Sequence, residues 1–207
     1  MRKSAFVKKV LAKMPGFVNT DTFFYLSPFE HILSGFCCEI TAHGAYLWRF
    51  VYPLYDKFEG LSLLYSFRLP GVNSYIDFDR ISRDHLAEEF TLRVAGHLDE
   101  AKQCLTLPQF MNYLDMRPGV LENAHSEMVY GYTKLLMDQK DLALHHLRDA
   151  IKRLREPYSS QCQTVLDLAK IDLNRAKEMI LGFEVEMKNM LCFTERPSRL
   201  PPPPSQS

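Results

Sequence analysis

The densest group of chemically able side chains lies in "DFDRISRDH", where Asp77, Asp79, Asp84 and His85 fall within nine residues. Carboxylates two apart beside an imidazole suit a divalent cation, because hard cations take oxygen ligands and histidine often completes such sites. On that reading Asp77, Asp79 and His85 serve a metal-dependent hydrolase or nuclease. The same residues also suit a helix start, with Asp79 or Ser82 as N-cap and Asp84 at the positive end, and capping is the stronger reading. A second group is Arg49 and Arg68 with Ser66 beside them. Guanidinium forks match carboxylate and phosphate oxygens, so these three residues point to an anionic ligand or an acidic partner loop, unless each arginine pairs with an acid of its own chain. His145 and His146 are adjacent on a helix and point about 100° apart, so they do not chelate together. His31 and His125 have no sequence-local acid or nucleophile. No glycine-rich phosphate loop, nucleophile elbow, zinc-binding helix or dinucleotide fingerprint occurs, so no catalytic residue is named and no cofactor is expected.

The elements that must position these groups change character along the chain. "MRKSAFVKKVLAK" has no uninterrupted apolar core, and Phe6, Val10 and Met14 at i, i+4, i+8 predict an amphipathic first helix rather than a secretory signal. "FVNTDTFFYL", "FEHILSGFCCEI", "AYLWRFVYPL" and "LSLLYSFRL" are rich in aromatic and branched residues with turn residues between them. They predict a four-stranded antiparallel meander over residues 17–69. Closing the second hairpin at Thr41–Gly44 sets Cys37 opposite Trp48 and Gly35 opposite Phe50, and the next places Trp48 beside Phe67. One face then collects Leu33, Cys37, Tyr46, Trp48, Phe50, Tyr52, Tyr65 and Phe67 as core. The other mixes Ser34, Phe36, Leu47, Arg49, Val51, Ser66 and Arg68, and so is neither bare nor a plain core.

From Asp79 the period is helical, with Leu86, Phe90, Val94 and Leu98 four apart. Pro108, Pro118 and Pro157 divide this half into helices near 82–105 and 109–115, a hairpin at 120–154 and a long helix at 160–191. That last helix carries a seam of Val165, Ala169, Leu173, Ala176, Ile180, Phe183, Met187 and Met190, the heptad pattern of a helix laid along another. The domain reading is an α+β sheet domain at 1–78, a helical region at 79–194 packed on it, and a proline-rich tail at 195–207.

"YGYTKLLMDQKDLALHHLRDAI" resembles a tetratricopeptide repeat, in which a glycine of the first helix and two alanines of the second allow close packing. Gly131, Ala143 and Ala150 stand at those positions, with Leu147 at the large apolar position between the alanines. Lys134 stands where an aromatic is usual, and the closing Pro157 comes two residues late. "AGHLDEAKQCL" is a fainter echo. The resemblance implies helical hairpins that bind peptides or proteins, or a lone hairpin that serves as scaffold. The N-terminal layout, a helix followed by "PGF" and a meander, is similar to small bacterial α+β domains and implies no chemistry.

The 207 residues carry 25 Lys and Arg against 25 Asp and Glu, so there is no net charge to attract nucleic acid or an anionic membrane. Five scattered cysteines (Cys37, Cys38, Cys104, Cys162 and Cys192) are odd in number and lack metal-ligand spacing, as in a reduced cytoplasmic protein. The expectation is a non-catalytic, cytoplasmic protein-binding or accessory (immunity-like) factor of bacterial type. Its partner is another protein. A monomer is favoured, with a homodimer through the C-terminal helix as the other arrangement.

Overall fold

The computed structural model describes residues 2–57 and 60–191; Cys192 and the proline-rich tail lie outside them. Helix α1 (Lys3–Lys13) buries Phe6 and Val10, the face their spacing predicts. The first extended segment is a hairpin: β1 (Phe17–Thr20) pairs antiparallel with β2 (Phe23–Leu26). Asp21 makes the turn with φ 55°, a left-handed conformation that aspartate tolerates. Strands β3 (Ile32–Ile40) and β4 (Gly44–Pro53) follow with the expected register, Cys37 opposite Trp48 and Gly35 opposite Phe50. Gly35 is required, because any Cβ there would collide with the β2 backbone at Phe24.

Beyond β4 the chain departs from a meander of long strands. Residues 61–66 form no strand, and β5 is only Phe67–Arg68, with Arg68 opposite Trp48 and Phe67 opposite Arg49. That is one residue off the predicted register, so Phe67 and Arg68 exchange faces. The cause is non-local. Leu54 and Tyr55 are buried and Asp56 is fully enclosed by the helical half, which draws the chain off the sheet edge before it returns. A sixth strand, β6 (Tyr75–Asp77), pairs with Gly44–Tyr46 of β4 farther along the same edge. The result is a six-stranded α+β sheet in the order β1-β2-β3-β4-β5, with β6 beside β4.

The helical half contains α2 (Leu86–Ala95), α3 (Leu98–Lys102), α4 (Leu107–Asp115), α5 (Pro118–Leu121), α6 (Ala124–Leu136), α7 (Lys140–Ile151), α8 (Tyr158–Ile171) and α9 (Leu173–Met190). The helix expected at 82–105 is interrupted at Gly96–His97. Thr106 and Gln109 form a reciprocal capping box that starts α4. The long terminal helix is two helices. Asp172 adopts extended angles, and its carboxylate accepts from the backbone N–H groups of Asn174 and Arg175, capping α9. The seam nevertheless docks within its own chain: Val165, Ala169, Ala176, Ile180, Phe183 and Met187 are buried. Helix α9 runs back along α6, with Lys177 meeting Asp138 at one end and Phe183 against Tyr132 farther on. Helix α6 is therefore buried almost all round, its polar His125, Ser126 and Thr133 included.

Both faces of the sheet are covered, and the mixed one is covered more completely than the pattern predicts. The mixed face is the deep one: Phe36, Cys38 and Leu47 pack under α1 and α2 with Phe6, Val10, Phe90 and Val94. The aromatic face is sealed at one end, where Tyr25, Leu33, Phe50 and Tyr52 meet Met187 of α9, and open at the other. Trp48, expected in the core, is half-buried there, and Phe67 lies on the opposite face. No described helix is long and apolar enough to cross a membrane.

Candidate functional site

Arg49, Arg68 and Ser66 do not form one site. Arg49 projects from β4 into the deep face and is 2 % exposed. Its Nη1 donates to the carbonyls of Gly35 (3.1 Å) and Phe50 (2.5 Å), and its Nη2 to Ser34 Oγ (2.9 Å) and the Glu100 carbonyl (2.6 Å). Ser34 Oγ in turn donates to the Ala101 carbonyl at 2.6 Å. The polar residues of the mixed face thus satisfy the carbonyls of the β3–β4 ladder and of the short α3, which explains how Ser34 and Arg49 are buried. Burial pulls the Arg49 guanidinium below its ordinary pKa, a direction consistent with acceptors that are all neutral. Ser66 Oγ is buried and makes no hydrogen bond, so it assists neither arginine.

Arg68 stands on the aromatic face, exposed to solvent. Its guanidinium carbon lies 3.9 Å from the centre of the Tyr46 ring and 5.1 Å from that of Trp48. Tyr75 of β6 packs on Tyr46 at 4.8 Å, and the Trp48 indole N–H donates to Glu39 Oε2 at 2.9 Å. Pairing of β4 with β5 and β6 sets these side chains in one row, so the backbone ladder orients the cluster. The guanidinium therefore sits over one ring and beside a second, the cation–π contact that aromatic faces offer arginine.

A cleft of about 580 Å³ opens beside Arg49, between β4 and α4. Arg117 lies at its mouth over the rings of Tyr113 (4.0 Å) and Phe67 (4.7 Å), with Nη1 donating to the Tyr113 carbonyl at 3.2 Å. Glu100 also lines it, with its carboxylate 2.7 Å from His97 Nδ1.

The acid-rich segment is built as a turn and a cap. Asp77 Oδ1 accepts from the Asp79 backbone N–H at 2.9 Å, and Ser82 Oγ accepts from that of Asp84 at 3.3 Å. Asp77 Oδ2 lies 3.7 Å from Arg80 Nε. His85 is the residue before α2, and its side chain is exposed. Asp77, Asp79 and His85 do not converge, and among the described residues no three His, Cys, Asp or Glu side chains gather as a metal site.

Two histidines lacking sequence-local partners find distant ones. His125 Nε2 lies 2.6 Å from Asp56 Oδ1, while Tyr65 OH donates to Asp56 Oδ2 at 3.0 Å and Tyr52 OH to the Asp56 carbonyl at 2.6 Å. Asp56 is fully enclosed and His125 is packed against the Tyr158 ring at 4.8 Å, so this dyad joins the segment after β4 to α6 in the interior. His31 Nδ1 is 2.7 Å from Glu184 Oε2, tying the start of β3 to α9. The hydrogen bond to Glu184 raises the His31 pKa against the opposing effect of burial. At Glu184 burial pushes upward, but hydrogen bonds from His31 and Lys188 outweigh it and hold the carboxyl below its ordinary value. All four described cysteines are buried and unbridged; burial pushes the Cys37, Cys104 and Cys162 thiols up to about 12, so they stay protonated and unreactive.

Sequence reasoning missed Arg117, Tyr75 and Asp56. Arg117 and Asp56 carry no local signature; Tyr75 lies in a short β-rich run, "SYIDF", that was readable as an edge strand. The chain matches no family model, no curated protein and no solved structure.

Proposed function

We propose that this chain is a non-catalytic protein-binding factor, accessory or immunity-like, that meets its partner through the open end of the aromatic sheet face. The observation that carries the reading is the Arg68 stack on Tyr46 and Trp48, flanked by Tyr75. Tryptophan, tyrosine and arginine dominate the energetics of protein interfaces, and a guanidinium already fixed on two rings loses little further freedom on binding. An acidic loop of another protein is the matching partner, because Arg68 has an edge to offer a carboxylate. The helical half supports this surface as scaffold. Its hairpins fit the tetratricopeptide likeness in two respects: Gly131 lies tight against Leu147, and α8 begins 34 residues after α6 (158 − 124 = 34), the period of that family. In an array the first-helix groove would stay open to a peptide, whereas here α9 and the Tyr55–Asp56 segment fill the surroundings of α6. Among the described residues, no converging His, Cys, Asp or Glu ligands support the metal-dependent hydrolase reading.

The test compares wild type with Arg68→Glu and Trp48→Ala as baits in extracts of the native host, after circular dichroism has shown that each bait is folded. Loss of the same captured protein from both variants, followed by reconstitution with that purified protein, supports the reading. Capture that survives both substitutions, or metal-dependent turnover abolished by Asp79→Ala, overturns it.

A further inference from the structure

We infer that the cleft between β4 and α4 is a binding site for a small molecule bearing an oxyanion group, a phosphate or a carboxylate, held by Arg117 at its mouth and attracted by the charge of Arg49 at its back, whose four Nη hydrogens are already given to protein acceptors. The argument begins with charge. Arg49 is a permanent cation almost without solvent contact, and every acceptor it reaches is neutral: three carbonyls and one hydroxyl. Neutral dipoles offset only part of the cost of removing a charge from water, and an anion nearby supplies the remainder. No carboxylate forms an ion pair with Arg49 or Arg117 among the described residues. Glu100 is the one acid of the lining, and its carboxylate is turned to His97. Two cations therefore face one carboxylate across the cleft, and the balance is positive.

The donor set fits the same chemistry. Arg117 lies over the Phe67 and Tyr113 rings with Nη1 bonded to the Tyr113 carbonyl, so its place at the mouth is set before any ligand arrives. Gln109 gives its side-chain oxygen to the N–H groups of Leu105 (2.9 Å) and Thr106 (3.1 Å), which leaves its amide NH₂ as the end available to the cleft it lines. Asn112, exposed one turn farther along α4, adds a second amide at the mouth. Donors on a rigid helix and strand, around a space of about 580 Å³, suit a metabolite-sized ligand more than a bare ion. This site lies across the sheet from the Arg68 cluster and does not depend on it.

The experiment uses the full chain with sodium phosphate and sodium succinate as probes, each titrated against chloride at matched ionic strength. Thermal unfolding and calorimetry provide the readouts. Saturable binding at or below about 20 mM, with a rise in melting temperature, is expected for at least one probe. Response to phosphate alone assigns a phosphate group, and response to succinate alone assigns a carboxylate. Arg117→Gln should weaken binding about tenfold, as loss of a charged donor does. Asn112→Asp, at an exposed position that leaves packing intact, should weaken it by placing a repelling carboxylate at the mouth. Arg68→Gln should change nothing. No saturable response to either probe, or affinity unchanged in both Arg117→Gln and Asn112→Asp, overturns the inference.

Discussion

Gly131→Ala tests the tightest contact in the helical half. A Cβ at this position would lie 2.6 Å from Leu147 Cδ2 and 2.8 Å from its Cγ, with the Ala143 carbonyl at 3.5 Å. Ordinary carbon contacts need about 3.5 Å or more, so Leu147 must retreat by close to an ångström. Leu147 is fully buried in the cluster that holds Ala143, Ala150 and Cys162, so its retreat presses on close-packed neighbours. Two effects compete. Alanine in a helix interior is favoured over glycine by about 1 kcal/mol, and overpacking costs roughly 1–3 kcal/mol. The net expectation is destabilisation of about 1 kcal/mol, or about 2–4 °C in melting temperature for a chain of this size. The double mutant Gly131→Ala/Leu147→Ala removes the clash. Leu147→Ala alone should cost about 2–5 kcal/mol, and the double mutant about 1–2 kcal/mol less than the sum of the singles. Urea denaturation of the four proteins measures that coupling. If Gly131→Ala stabilises by the full helix gain and shows no coupling to Leu147, the close approach does not exist, and the hairpin likeness loses its main support.

Arg49→Met should destabilise by about 3 kcal/mol in urea unfolding, because buried acceptors on β3, β4 and α3 lose their donor; a cost under about 1 kcal/mol would show that the guanidinium does not join sheet to helix. Trp48→Ala should cost about 1–2 kcal/mol, less than a core truncation, since the ring is half-buried; a larger loss in denaturant titration would put it in the core after all. The His31–Glu184 pair predicts a window in pH. His31 is raised above 6.5, so its contribution is complete below 6.5 and is lost as pH climbs through the folded value. Glu184 is depressed below 4.5, so its contribution is present above 4.5 and is lost as pH falls through the folded value. Melting temperature should therefore peak between those limits, and His31→Gln should flatten the alkaline limb; an unchanged limb refutes the assignment.

How much of this was readable in the chain depends on how local each cause is. The β3–β4 register was legible, because alternating residues and the Thr41–Gly44 turn determine it within a short stretch. The register of β5 was not. It depends on Asp56 meeting His125, 69 positions away, and pattern alone favoured a plain hairpin. The break at Asp172 was hidden by the apolar seam that runs through it, although an aspartate able to cap is a genuine local signal. Arg49 was placed on the correct face, yet its solution to burial, carbonyls of a short helix rather than an acid, has no sequence signature. Arg68 was placed on the wrong face by the same one-residue slip, and that slip hid the aromatic stack.

The junction at Tyr55 and Asp56 also has a kinetic consequence. Helices α6 to α9 are joined by short links and can collapse early, since loops of that size close at little entropic cost. The sheet edge cannot finish until Tyr55 has reached Thr133 and Asp56 has reached His125, contacts separated by 78 and 69 residues. Tyr55 belongs to the cluster that also holds Ile32 and Val51 of the sheet, so the halves share one interior. The rate-limiting event of folding should thus be the docking of this segment onto a preformed α6. Destabilising it, by Asp56→Asn for instance, should slow refolding, whereas trimming the surface of α7 should chiefly hasten unfolding.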